Sequence, residues 1–305
     1  MNPSENHERP SDDRSSPPGP KAVTFEGSGK LHIVGDVWGD DNDPVVLFFH
    51  GIGQTRHAWA RVAKQIEREH WRCVLIDLRG HGDSDWDPGH DYSLNAMAAD
   101  CVSVIRQLGA SPVIVGASLG GLIGLYAEGT SKRPLASGLV LVDISLGTNH
   151  VAADRIRKFM LSGFDGFDSL EQAASAIAEY RQSPQIRAAS SQGLRKVLRE
   201  RDGRWYWHWD PAIVRQFSMT NDSGRMGELR QTPLEPIGIP TLVLRGGKSD
   251  VIIESGITEL VQIAPDAEII EIPDASHMIA GDQNDAFGTA IMAFLERRIR
   301  PRITT

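Results

Sequence analysis

The chain has 305 residues, a formal net charge of −8 and two cysteines. That length suits one large α/β domain carrying an inserted subdomain. The acidic balance and the lack of a Lys/Arg-rich face exclude nucleic acid as an expected partner. Cys73 and Cys101 read as small buried hydrophobes, not a disulfide framework, and no apolar run reaches membrane length.

Residues 1–21 are rich in Pro, Ser, Asp and Glu without an apolar stretch, which reads as a disordered polar tail and not a signal peptide. Strands are predicted at Leu31–Val37 and Val45–Phe49. Thr55 then caps a helix with Trp59, Val62 and Ile66 on its apolar face. Cys73–Ile76 is the next strand. Ser93 caps a second helix, with Leu94, Met97, Cys101, Val104 and Leu108 along one face and Gly109 as its C-cap. Val113–Val115, a helix through Tyr126, and the strand Gly138–Val142 follow. Short apolar strands alternating with helices predict a mostly parallel sheet covered on both faces.

The pattern changes between Ile144 and Leu234. Helical sequence dominates, at Ala153–Met160, Leu170–Tyr180, Leu194–Arg199 and Pro211–Phe217, and no strand signal stands out. Alternation resumes with Ile239–Leu244, Ile257–Ile263, Glu268–Ile272 and a final helix from about Asp285 to Arg298. The expected organisation is a core of residues 22–144 and 235–305, with 145–234 as a helical cap over the carboxyl edge of the sheet, where open α/β sheets bind ligands.

The chemistry centres on Gly116-Ala117-Ser118-Leu119-Gly120, a G-x-S-x-G sequence between a strand and a helix. A sharp turn there exposes the serine hydroxyl above the sheet edge, and the glycines let helix and strand approach closely. Ser118 is the candidate nucleophile. The backbone N–H of Leu119, at a helix N-terminus, would face a developing oxyanion. A glycine-rich turn without chemistry is the alternative reading of the motif alone.

Five motifs in order carry a family resemblance: His50-Gly51-Ile52-Gly53, Asp77-Leu78-Arg79-Gly80-His81-Gly82-Asp83-Ser84, the elbow at Ser118, Gly246-Gly247-Lys248-Ser249-Asp250, and Ser276-His277-Met278. Over everything after residue 21 the chain resembles the α/β-hydrolase superfamily. The resemblance implies the order Ser118, Asp250, His277, with His277 as general base and Asp250 orienting it. Asp143, which ends the strand after the elbow, and Asp274, close to His277, are alternative acids. It also implies Ile52 N–H as the second oxyanion donor, with His50 bracing that loop and doing no proton chemistry. The Arg79–Gly82 turn reads as structural.

Trp205-Tyr206-Trp207-His208-Trp209 is a dense run in a chain with 7% aromatic residues. Trp205 and Trp207, with Trp59, Phe159 and Met278, are candidate walls of an apolar pocket, and packing within the cap is the alternative. The expected activity is serine hydrolysis of a small carboxylic ester or lactone with an apolar portion, in the cytoplasm, with no metal, cofactor or membrane partner. Serine at the elbow disfavours epoxide hydrolysis and dehalogenation, which use a carboxylate. Carbon–carbon bond hydrolysis and cofactor-free, haloperoxidase-like perhydrolysis are rivals on the same triad, and a receptor that retains the triad is a rival of another class. Val115-Gly116-Ala117 lacks the polar group that the resemblance associates with carbon–carbon cleavage.

Overall fold

A computed structural model describes residues 19–180, 191–215, 224–277 and 285–303. Most of the expected tail lies outside those residues, and Lys21 already belongs to a strand. Ten strands and the main helices run, in order: β1 Lys21–Glu26, β2 His32–Trp38, β3 Val45–Phe49, α1 Ala60–Glu67, β4 Arg72–Ile76, α2 Leu94–Leu108, β5 Val113–Ala117, α3 Leu119–Gly129, β6 Gly138–Val142, α4 His150–Leu161, α5 Leu170–Tyr180, α6 Ser191–Leu194, β7 Leu198–Arg201, β8 Arg204–Trp207, α7 Ala212–Arg215, α8 Gly224–Gln231, β9 Thr241–Gly246, α9 Glu254–Ile263, β10 Glu268–Ile272 and α10 Gly288–Phe294. Helical turns continue from Leu295 to Ile303.

Eight strands form one sheet in the order β1-β2-β4-β3-β5-β6-β9-β10. The strands from β4 to β10 along that order run parallel, whereas β1 and β2 are antiparallel at one edge. Val45–Phe49, Val113–Ala117 and Gly138–Val142 are buried throughout, as expected of strands covered on both faces. One apolar layer joins the sheet to α2, α3 and the segment between β6 and β9. A second lies on the other face against α1 and the C-terminal helices, with Trp59, Trp71, Phe287 and Phe294 at its centre. Among the described residues no helix is long and apolar enough to cross a membrane.

Local chemistry sets the ends of α2. The Ser93 hydroxyl accepts from Ala96 N–H, and Gly109 closes the helix at φ +64°. Strand order reverses at β3, since the chain steps to β4 on one side and then to β5 on the other. Ligand crevices in such sheets open outside the carboxyl ends at that switch point. Here the crevice is flanked by the loops after Phe49 and after Ala117, which Phe49↔Gly116 pairing holds level.

Two elements depart from the sequence reading. β1 starts where the tail was expected to end and carries no strand expectation, because its charged ends and short length hide the alternation. Between β6 and β9, Leu198–Arg201 and Arg204–Trp207 form an antiparallel hairpin where Leu194–Arg199 was expected to be helical. Arg199, Glu200 and Arg201 give that strand the charge pattern of a solvated helix. Its stability comes from tertiary contact, with Phe167 and Trp205 exchanging backbone hydrogen bonds.

Candidate active site

Ser118 sits between β5 and α3 at φ +47°, ψ −114°, a conformation that L-residues rarely adopt. Its N–H donates to Val142 O at 2.9 Å, tying the turn to the end of β6. The turn depends on close backbone approach. A Cβ on Gly116 would lie 2.3 Å from Gly120 O, and one on Gly120 would lie 2.6 Å from Phe49 O. Any side chain at either position would push α3 off the sheet.

Asp143 follows β6 directly and also has positive φ, +53°. Its side chain is almost fully buried and takes three contacts, two from the end of β9 and the turn after it and one from His277. Gly246 N–H donates to Oδ1 at 2.9 Å. Ser249 Oγ donates to Oδ2 at 2.9 Å. His277 Nδ1 lies 2.6 Å from Oδ2, and its own side chain is 4% exposed. Burial acts to raise the Asp143 carboxyl. The His277 hydrogen bond and charge, with the Gly246 and Ser249 donors, outweigh it and hold the carboxyl below its ordinary value. With Nδ1 bound to Asp143, Nε2 is the nitrogen left to handle a proton.

This corrects the expected acid. Asp250 does not orient His277; its carboxylate pairs with Arg155 of α4 at 2.6 Å and is half-exposed. That hydrogen bond with Arg155 keeps the Asp250 carboxyl below its usual value. The reason is local: Gly246 and Ser249 turn inward onto Asp143, so the next residue faces the inserted segment. Asp274 pairs with Lys248 at the surface.

The loop after β3 supplies the second side of the site. Gly51 stands against the nucleophile, since a Cβ there would lie 3.4 Å from Ser118 Cβ. Gly51 N–H donates to Gln54 Oε1, Gly53 N–H to His81 Nε2 and Gln54 N–H to Gly51 O. Among the described residues, neither Ile52 N–H nor Leu119 N–H meets a protein acceptor.

The candidate wall residues divide. Trp59 is a correction: it is fully buried in the layer under α1, donates from Nε1 to Phe49 O and packs on Phe48. A fully covered sheet gives no periodicity that tells the two faces apart, so sequence could not place it. Trp207 is 5% exposed, stacked on Trp209 at 4.8 Å, and donates to Ser162 O. It packs inside the inserted segment, as the alternative reading had it. Trp205 is half-buried under Arg195. Phe159 contacts Tyr180, Trp207 and Trp209 and lines a cavity of about 400 Å³ between α4 and α5, where Asp154, Arg155, Lys158 and Glu179 stand beside Tyr180; Ser118 and His277 are not part of its lining. Met278 lies outside the described residues.

His50, His81 and His208 were not read as a group. They form a buried cluster, with ring centroids 5.1 Å apart for His50–His81 and 5.8 Å for His81–His208. Burial lowers all three pKa values, that of His208 to about 3. The folded rings therefore stay neutral, while unfolded ones take up protons below about pH 6.5. Their contribution to stability is complete above pH 6.5 and is lost as pH falls. Between pH 6.5 and 5, before carboxylates titrate, the unfolding free energy should fall with pH, with a limiting slope of about 1.4 kcal/mol per pH unit for each histidine. Urea unfolding across that range should show a shallower slope in His208→Gln. An unchanged slope would mean that His208 titrates normally in the folded protein.

The geometry fits one group of known proteins. A model of the alpha/beta hydrolase family matches residues 46–290. The chain belongs to the alpha/beta hydrolase family. Among its relatives, the sn-1-specific diacylglycerol lipase ABHD11 of Mus musculus is 29% identical over 271 residues, covering 84% of this chain and 82% of the relative. The 3-hydroxybutyrate-oligomer hydrolase of Cupriavidus necator is 28% identical over 252 residues, with 79% and 85% covered. In fold, the chain superposes on E-2-(acetamidomethylene)succinate hydrolase with a TM-score of 0.74 at 21% identity, covering 91% of this chain and 99% of that one. Esterases, lipases and other hydrolases thus surround it, and among them the elbow serine is the residue to test for turnover.

Proposed function

We propose that this chain is a serine hydrolase that cleaves carboxylic esters or lactones with an apolar portion. The observation that carries the reading is the 2.6 Å His277–Asp143 contact on the sheet edge that also holds the strained Ser118. In the first half-reaction Ser118 Oγ attacks the carbonyl carbon and His277 Nε2 takes its proton. Ile52 and Leu119 N–H groups stabilise the oxyanion. Collapse breaks the bond to the leaving oxygen, which receives the proton from His277, and leaves an acyl-serine. In the second, water adds to the acyl carbon, gives its proton to His277, and Ser118 leaves with that proton. The carboxylate of Asp143 holds the ring in place and offsets the imidazolium charge.

The inserted segment acts as the cap, and Phe159 and Tyr180 give it an apolar lining. The family's ester-cleaving relatives support the same reaction class. A panel of p-nitrophenyl esters from acetate to decanoate, with a lactone series beside it, tests the reading. Turnover with labelling of Ser118 by a fluorophosphonate supports it; no turnover of any ester or lactone by folded protein would overturn it.

The panel also separates wall from core. Phe159→Ala should change the ranking of chain lengths by roughly 10-fold or more in kcat/KM, the range that apolar pocket contacts supply. Trp207→Ala should instead lower stability by about 3 kcal/mol or more and leave the ranking intact. Identical rankings in wild type and Phe159→Ala would remove Phe159 from the pocket.

A further inference from the structure

The loop that carries the proposed oxyanion donor is held by three histidines, one for each successive peptide plane. A trans peptide is rigid, so fixing its C=O fixes the N–H on its other side. In the Gly51–Ile52 plane, His50 Nδ1–H donates to Gly51 O at 2.8 Å, while His50 Nε2 accepts from Leu78 N–H at 3.0 Å. In the Ile52–Gly53 plane, Gly53 N–H donates to His81 Nε2 at 3.2 Å, and His81 Nδ1–H points to Arg79 O. In the Gly53–Gln54 plane, His208 Nε2–H donates to Gly53 O at 3.3 Å, while His208 Nδ1 accepts from Gly82 N–H at 2.7 Å. Each ring has one donating and one accepting nitrogen, which sets its tautomer. Gly53, at φ +73°, would otherwise be the loosest residue of the loop.

His50 and His81 come from the core, but His208 comes from the inserted segment. It follows the β7–β8 hairpin and is pinned there by His208 N–H to Val197 O, Asp210 N–H to Gly80 O and Tyr92 OH to Asp210 at 2.5 Å. We propose that His208 is a positioning residue through which the inserted segment steadies the Gly53–Gln54 plane, whose Gln54 N–H donates to Gly51 O, and so adds to the hold that His50 and His81 keep on the Ile52 N–H when that segment is docked. This inference rests on the serine-hydrolase reading above. His208 touches no reacting atom. It acts by keeping Gly53, and through it Ile52, from rotating.

Two substitutions separate this role from mere packing. In His208→Gln the side-chain amide reaches the Nε2 position and keeps a donor for Gly53 O. In His208→Asn the amide mimics Nδ1, keeps Gly82 and drops Gly53. On p-nitrophenyl butyrate, His208→Asn should lower kcat by roughly 10-fold or more with KM within about twofold, short of the full loss of an oxyanion donor. A butyl trifluoromethyl ketone, which forms an oxyanion on the nucleophile, should bind that variant more weakly by a similar factor. His208→Gln should recover most of both. Equal kcat and ketone affinity in wild type and folded His208→Asn would overturn the proposal, as would equal losses in the two variants. A measurement without variants guards against misfolding: ¹⁵N spectra of the whole chain should show His208 as the Nε2–H tautomer and His50 and His81 as Nδ1–H. The opposite tautomer at His208 overturns the clamp. Failure of the hydrolase reading is distinguishable, since wild type would then neither turn over the ester nor take label at Ser118, while the tautomers would still decide the clamp.

Discussion

Ser118→Ala should abolish ester turnover, lowering kcat by roughly 10⁶, the scale found when a triad serine is removed. The melting temperature should barely move, because alanine keeps the Cβ and, among the described residues, the hydroxyl has no protein partner to lose. Ser118→Gly should go further. The backbone at this position has φ +47°, a region that costs a side-chain-bearing residue on the order of 1–3 kcal/mol and glycine little. The glycine variant should therefore be inactive and yet melt higher than wild type. A fluorophosphonate followed by peptide mass mapping should modify wild type at Ser118 and neither variant. Full activity in Ser118→Ala, with label on another residue, would remove Ser118 from the chemistry.

The strain that makes this prediction is also what made the site legible. Gly116-Ala117-Ser118-Leu119-Gly120 is readable because only glycines allow Gly120 to approach Phe49 O and Gly116 to approach Gly120 O. The buried strands were readable for a similar reason, since uninterrupted Val, Leu, Ile and Phe at Val45–Phe49 and Gly138–Val142 leave few other solutions. What sequence could not supply was direction. Trp59 was placed on the correct helical turn but on the wrong side of the sheet for a pocket. The hairpin at Leu198–Trp207 is held by Phe167, some thirty residues earlier, and its own charge pattern points the other way. His208 stood inside an aromatic run and drew no separate notice, because its meaning lies in Gly53 and Gly82, far away in the chain.

The acid shows most clearly how a candidate is settled by side-chain direction and not by order. Asp143 and Asp250 both follow sheet strands and both lie within electrostatic reach of His277. Asp143 meets the ring at 2.6 Å with two further donors on its carboxylate, and Asp250 is occupied by Arg155. Asp143→Asn should therefore lower kcat by about 10⁴, because an amide can present N–H to His277 and stabilise the wrong tautomer. Asp250→Asn should cost far less, since it loosens an exposed ion pair with α4 and leaves the ring where it is. The pH profile sharpens the contrast. In wild type the Asp143 charge is present above the ordinary carboxylate range and is lost only as pH falls below it, so its support for His277 is constant near neutrality. In Asp143→Asn that charge is absent at every pH, so the loss of rate should persist across the whole range. Steady-state rates of the two variants from pH 5 to 9 provide the comparison. If Asp250→Asn loses 10⁴ and Asp143→Asn stays near wild type, the acid follows β9, and the Asp143–His277 contact does not describe the working enzyme.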